Sequence, residues 1–283
     1  MGDKYRIAVF AHNEENGIQK TINSILCSFT DNEDFVITVL ANGCTDSTVE
    51  IVRSMQQTCS QIVLREIQIG DKCNAWNEYV YSVCDDVFCH WFCDADVTFS
   101  RGSFQLMLRK LKRYEESVAV AGVPLSGRGK NKYCEMIKKE GVIFGNLYAV
   151  KSSFLAKVRD ENFKLPVGFL VDDNLIGRII CTSIDRGNAP DFSRVVYDEN
   201  AGYFVDSLNP FLFSDIRLYF NRLVRYRLGE LQQEKLRPIP YSQFPEDLDD
   251  INRVIYSELA NDPIPFRKFI DRGVVKRLEQ KCR

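Results

Sequence analysis

The segment HWFCDADVTFS, His90–Ser100, ends an apolar run in two aspartates one residue apart, Asp94 and Asp96, with Thr98 just beyond. A hydrophobic core gives no reason to place carboxylates there, because ionised groups withdrawn from water need partners. Two chemistries would use them. Paired carboxylate oxygens suit a hard divalent cation, Mn2+ or Mg2+, held against the oxygens of a diphosphate. Alternatively, the first aspartate is a nucleophile that becomes phosphorylated and the second its acid/base partner. The bland reading is an exposed turn at a strand end, which a lone Asp-x-Asp permits.

The elements that carry this segment follow a regular alternation. Tyr5–Ala11, Phe35–Ala41, Gln61–Ile67 and DVFCHWFC are short, apolar, β-branched runs that predict strands. Between them, Ile18, Ile22, Ile25 and Leu26, then Val49, Ile51, Val52 and Met55, then CNAWNEYVYSVC, have helical spacing. Strand and helix in alternation with short links predict an α/β fold, a mostly parallel sheet with helices on both faces. Ligands of such sheets bind beyond the carboxyl ends of the strands. Four polar loops gather there: His12-Asn13-Glu14, Asn42-Gly43-Cys44-Thr45-Asp46, Gly70-Asp71-Lys72 and Asp94-Ala95-Asp96.

Beyond residue 100 the pattern loosens. A helix is expected over Phe104–Tyr114, a strand at VAVAGV, and a basic loop over Ser126–Lys132. EGVIFGNLYAV predicts a strand running into the helix KSSFLAKV, and Asp172-Asp173 open a further helix. RVVY and AGYFVD read as two strands. From Asn209 the chain reads as mainly helical, up to the Pro-broken Arg237-Pro238-Ile239-Pro240, a short acidic helix and a basic tail.

Bulk properties narrow the classes. The chain has 283 residues, 45% hydrophobic and 27% charged, which suits a globular protein with ample core. A net charge of −2 gives no reason to expect nucleic acid as a partner. No apolar run reaches the roughly 18 residues of a membrane span, and the N-terminus lacks a signal-peptide layout. The ten cysteines, among them Cys27, Cys84, Cys89, Cys93 and Cys181 inside apolar runs, read as reduced, buried thiols of a cytoplasmic protein. Cys84, Cys89, His90 and Cys93 have spacing too irregular for a zinc site.

The succession VFAHNEE, LANGCTDST, GDKCNAWN, WFCDADVTF, VDDNLIG and RLVRY resembles the inverting family 2 glycosyltransferases of the GT-A fold, in order and spacing, over roughly residues 5 to 227. The last two segments resemble the ceramide and hopanoid glycosyltransferase-like branch, with Tyr226 where that branch has tryptophan. The resemblance implies a catalytic domain over 1–208, with a nucleotide-binding half at 1–98 and an acceptor half at 99–208. A helical extension over 209–283 would carry Arg222-x-x-Arg225-Tyr226. It implies a nucleotide-diphosphate sugar as donor, a UDP-sugar first, and a divalent cation, Mn2+ or Mg2+.

It also assigns roles. Asp96 would bind the metal directly, and Asp94 the ribose or a metal-bound water. Ala11, His12, Asn13 and Glu14 would line the nucleotide, with Asn13 and Glu14 on ribose and base. Asn42 stands where many relatives place an acidic residue that reads uracil, and its amide can still accept from the imide. Lys72, at a helix mouth after a glycine, would meet phosphate. An acceptor hydroxyl must lose its proton as it attacks, and Asp173, or else Asp172, would be the general base. Arg222 and Arg225 share a helix face and would clamp the leaving diphosphate, with Tyr226 touching a sugar.

Other readings stand beside these. Asp46 and Asp172 suit helix caps, His12 suits packing, and Trp76 and Trp91 suit the core. DADVT also matches the Asp-x-Asp-x-Thr of haloacid-dehalogenase-like phosphatases, which would make Asp94 a nucleophile, but that motif normally follows a first strand. A catalytically inactive nucleotide-sugar-binding protein of the same fold is a third possibility. A soluble small molecule, saccharide or peptide is expected as acceptor before a lipid. The basic residues Arg217, Arg222, Arg225, Arg227, Lys235 and Arg237 leave peripheral membrane contact open, and residues 238–283 a homodimer contact.

Overall fold

The computed structural model describes residues 3–30, 32–126, 130–205, 213–260 and 268–281. The strands β1 (Lys4–Ala11), β2 (Asp34–Asn42), β3 (Ile62–Ile67) and β4 (Cys89–Asp94) alternate with the helices α1 (Ile18–Leu26), α2 (Thr48–Thr58) and α3 (Lys72–Ser82). There follow β5 (Val97–Phe99), α4 (Ser103–Arg113), β6 (Ala119–Pro124), α5 (Lys130–Glu140), β7 (Leu147–Lys151), α6 (Ser152–Asp160), α7 (Asp172–Cys181) and β8 (Val195–Val205).

All eight strands form one sheet in the order β3-β2-β1-β4-β7-β6-β8-β5. The first four are mutually parallel. β7 runs antiparallel to both β4 and β6, β8 is parallel to β6, and β5 closes the edge antiparallel to β8. The central strands are apolar on both faces because helices cover both. Ile7, Val9, Ile37, Val39 and Trp91 meet Ile18, Ile22 and Ile25 of α1 and Phe104, Met107 and Leu111 of α4 in one core. On the other face Phe92 stacks with Trp76 and Tyr148 and meets the edge of Tyr79. Each fully buried isoleucine of α1 contributes about 1.5–3 kcal/mol to holding the helix on the sheet.

Three local expectations are corrected, and one short strand is added. The basic loop is shorter than the sequence suggests: α5 already begins at Lys130, while residues 127–129 lie outside the described residues. In EGVIFGNLYAV only the end is strand, so residues 141–146 reach β7 as irregular chain. RVVY and AGYFVD are one strand, β8, whose pairing with β6 shifts register between Ala121 and Val123. β5, only three residues long, was not foreseen.

Backbone contacts divide the chain into two units. The first comprises Met1–Phe163 and Asp173–Asp206 and holds the sheet. The second comprises Lys164–Asp172 and Ser207–Arg283, with helices α8 (Phe213–Leu236), α9 (Asp249–Ala260) and α10 (Lys268–Lys281). Its core is Val224, Leu228, Ile255, Val274 and Leu278. Gln232 sews the segment before Asp172 to α8: its amide accepts from Leu170 N at 3.2 Å and donates to Gly168 O at 3.1 Å. Helix α10 lies where the sequence suggested a basic tail.

Candidate functional site

The parallel strands end level, which is why their loops share one rim. Phe10 pairs with Asp94, Ala11 with Ala41, and Asn42 with Ile67. At the end of β4, Ala95 is buried while Asp94 is partly and Asp96 largely exposed. The inserted alanine is pinned: its N–H donates to Phe10 O at 3.1 Å, and the Thr21 hydroxyl of α1 lies 2.7 Å from both Ala95 O and Val97 O. Both carboxylates are thereby carried clear of the core.

Lys72 is the first residue of α3, whose start is capped by Asp71 accepting from Asn74 N at 2.9 Å. Its ammonium reaches Asp94 Oδ1 at 2.5 Å and lies 5.5 Å from the centre of the Phe10 ring. On the other side of Asp96, Gly17 lets α1 start close to the strand end. A Cβ there would stand 3.2 Å from Ala95 O and 3.5 Å from Glu14 Oε2. The Glu14 carboxyl is pushed up to about 7, first by burial and then by the charges of Asp96, Asp94 and Asp46.

The first two loops are tied to each other. Asn13, with a positive φ of 58°, accepts from Thr45 N through its Oδ1 at 2.7 Å. Glu14 N donates to Thr48 Oγ1 at 2.7 Å. Asp46 accepts from Thr48 N at 3.0 Å and from Glu15 N at 3.1 Å, so it caps α2 and joins it to the first loop. Burial works against its ionisation, but these bonds outweigh that and hold its carboxyl below the ordinary range.

Asn42 is buried, at 3% exposure, and its Nδ2 donates to Ala11 O at 2.9 Å and Leu40 O at 3.3 Å. Its donors are therefore spent on backbone, with the carbonyls of buried Ala11 and Leu40 as acceptors. The exposed His12 ring meets Asn42 O through Nδ1 at 2.6 Å. A carbonyl only accepts, so Nδ1 carries the proton.

Asp173, at the start of α7, completes what the first unit brings together. Its Oδ2 accepts from Gly145 N at 3.4 Å and its Oδ1 from Asn174 N at 2.9 Å. Asp172 is buried and belongs by its contacts to the second unit. Arg222, Arg225 and Tyr226 are also in the second unit, on an exposed face of α8, with Tyr226 61% exposed. Phe10, Gly17, Thr48 and Gly145 are site residues that the sequence did not single out. Only the glycines carried any signal, as breaks in apolar or polar runs.

Of the cysteines expected to be buried, Cys89, Cys93 and Cys181 are, whereas Cys84 is half-buried and Cys27, at the end of α1, is exposed. His90 meets Tyr79 Oη at 3.0 Å and Asp85 O at 3.1 Å, and the Cys93 thiol donates to Ala8 O.

A divalent cation fits the donor set at the rim. The carboxylates of Asp94 and Asp96 are hard oxygen ligands, and Glu14, raised first by burial and then by their charges, lies beside them. Among the described residues no three His, Cys, Asp or Glu side chains could hold an ion by themselves. One or two carboxylates, completed by substrate phosphates and water, would be the ligands available to such a cation.

Comparison with known proteins gives the family and the fold. The family model "Glycosyl transferase family 2" matches residues 6–178. The fold is similar to that of the mannosyltransferase PcManGT from Pyrobaculum calidifontis, solved with GDP-Man and Mn2+. That match has a TM-score of 0.61 and 16% identity, covering 98% of this chain and 81% of that one. S. aureus TarS 1-349 with UDP-GlcNAc matches at TM-score 0.55 and 12% identity, over 98% and 71% of the two chains. Glucosyl-3-phosphoglycerate synthase from Mycobacterium tuberculosis, with Mn2+, UDP-glucose and phosphoglyceric acid, matches at TM-score 0.50 and 16% identity, over 79% and 80%. No curated protein sequence matches this one significantly.

Proposed function

Since this chain belongs to glycosyl transferase family 2 and has the GT-A fold, we propose that it is a metal-dependent, inverting glycosyltransferase. It moves a sugar from a nucleotide-diphosphate sugar, a UDP-sugar first, to an acceptor hydroxyl. The observation that carries this reading is the placement of two charged systems about one short segment. Lys72 and Asp94 meet on one side of Gly145, and Asp173 accepts from its N–H.

The roles follow from charge. Asp96 and Asp94 hold Mn2+ or Mg2+, which when bound supplies positive charge to the diphosphate oxygens. Lys72 adds a second cation at a helix N-terminus, where backbone N–H groups also favour phosphate. The rim formed by Ala11, His12, Asn13, Glu14 and Asn42 receives the nucleoside. Asp173 takes the proton of the attacking hydroxyl, general-base work typically amounting to about 10²–10⁴-fold in rate. Attack from the face opposite the diphosphate inverts the anomeric configuration.

The family match spans Asp94–Thr98 and so replaces the aspartyl-phosphate reading of that segment. No helix of the described residues is long and apolar enough to cross a membrane. A soluble small molecule, saccharide or peptide is the acceptor class proposed before a lipid.

The test is calorimetric titration with UDP, GDP, CDP and dTDP, each with and without Mn2+. Metal-dependent micromolar binding of one of them, abolished in Asp96→Ala, supports the reading and names the donor class. Binding that ignores both the metal and Asp96→Ala removes the metal from the proposal.

A further inference from the structure

Residue 145 has no side chain, and the surrounding geometry explains why one would interfere. A Cβ built there would stand 2.6 Å from Lys72 Nζ and 3.5 Å from Asp94 Oδ2. The same residue's N–H donates to Asp173 Oδ2 at 3.4 Å. Gly145 thus borders the lysine and carboxylate expected on the donor side and the carboxylate expected on the acceptor side. The chain reaches this point as irregular backbone between α5 and β7, with Ile143 and Leu147 buried on either side as anchors. The φ of Gly145 is not in the left-handed region, in contrast to Gly141. Glycine is therefore not demanded by the backbone here but by the space beside it.

We propose that Gly145 is a positioning residue: its missing side chain is what allows the Lys72 ammonium to sit on Asp94. The role of that pair in holding a diphosphate rests on the transferase reading, whereas the contact itself does not. The atom in the way is the far end of a flexible side chain, so Gly145→Ala can fold by displacing Lys72 from Asp94.

Because the effect runs through one atom, it can be tested by a double-mutant cycle. Wild type, Gly145→Ala, Lys72→Ala and the double variant are compared in two measurements. The first is thermal unfolding without ligand. Gly145→Ala is expected to lower the midpoint by about 2–4 °C in the Lys72 background and to have no effect in the Lys72→Ala background. The second is calorimetric titration with UDP and Mn2+. Gly145→Ala is expected to weaken binding about tenfold with Lys72 present and not to weaken it further without Lys72, the non-additivity of groups in contact.

Equal effects of Gly145→Ala in both backgrounds, or none in either, would overturn the proposal. A wild type that binds no nucleoside diphosphate, yet shows the coupling in unfolding, would uphold the positioning contact and count against the transferase reading alone.

Discussion

Lys72 Nζ stands 2.5 Å from Asp94 Oδ1, tying the first residue of α3 to the last residue of β4. Both side chains keep about a quarter of their surface in water, so the pair is partly screened and adds no more than about 1 kcal/mol to stability. In the proposed reading the pair keeps a cation at the rim before a diphosphate arrives. Lys72→Met should leave the fold intact and weaken UDP binding by about 10–100-fold, as loss of a charge-assisted contact to phosphate does. The residual binding should depend less steeply on salt, which titrations at two ionic strengths would read. An unchanged affinity would remove Lys72 from the phosphate site.

In the proposed reading Asp173 acts on the acceptor, not on the nucleotide. Asp173→Asn keeps the acceptor oxygen that meets Gly145 N but cannot take a proton. Its nucleotide binding should match the wild type while transfer falls by about 10²–10⁴-fold. Parallel calorimetry and product analysis separate the two effects. Normal transfer by Asp173→Asn would move the general base elsewhere, with Asp172 the next residue to change.

Much of this site was legible because the first half of the sheet follows simple rules. Buried parallel strands are continuous apolar runs, and the four polar loops fell at their carboxyl ends, so the order of residues alone assembled Asn13, Glu14, Lys72, Asp94 and Asp96 on one rim. The segment before β7 was not legible. Val142, Ile143 and Phe144 have strand composition, yet only backbone pairing with a neighbouring strand, which begins at Leu147, distinguishes a strand from irregular chain that fills the same core. Helix α5 was hidden because its buried residues are just Cys134 and Ile137 amid charges. The importance of Gly145 lies in a contact with Lys72, 73 positions earlier, and no local pattern records such a contact.

Glu14 gives the site a pH signature. Its carboxyl is raised from 4.5 to about 7, first by burial and then by Asp96, Asp94 and Asp46. Between those values the folded state holds a proton that the unfolded state has released. Stability should therefore fall as pH rises from 4.5 to about 7 and stay lower above it. Glu14→Gln should lack this loss, so the difference in midpoint between variant and wild type should grow across the window. Thermal unfolding in a chelator from pH 5 to 8 measures it. Adding Mn2+ should reduce the loss if Asp94 and Asp96 hold the ion beside Glu14, whereas an equal slope with and without Mn2+ would separate Glu14 from the metal.

Asn13 combines a backbone strain with a link between loops, and two substitutions separate them. Its φ of 58° is a conformation that a residue with a Cβ adopts at a cost of roughly 1–2 kcal/mol. Its Oδ1 bond to Thr45 N offsets part of that. Asn13→Gly removes the bond but relieves the strain, so it should change stability by no more than about 1 kcal/mol. Asn13→Ala removes the bond and keeps the strain, and should be less stable than the glycine variant by about 1–2 kcal/mol in denaturant unfolding. Both should bind UDP more weakly, since in each the first loop loses one of its ties to the second, with the bonds from Glu14 N to Thr48 and from Glu15 N to Asp46 remaining. Equal stability of the two variants would mean that the first loop relaxes away from positive φ once the bond to Thr45 is gone.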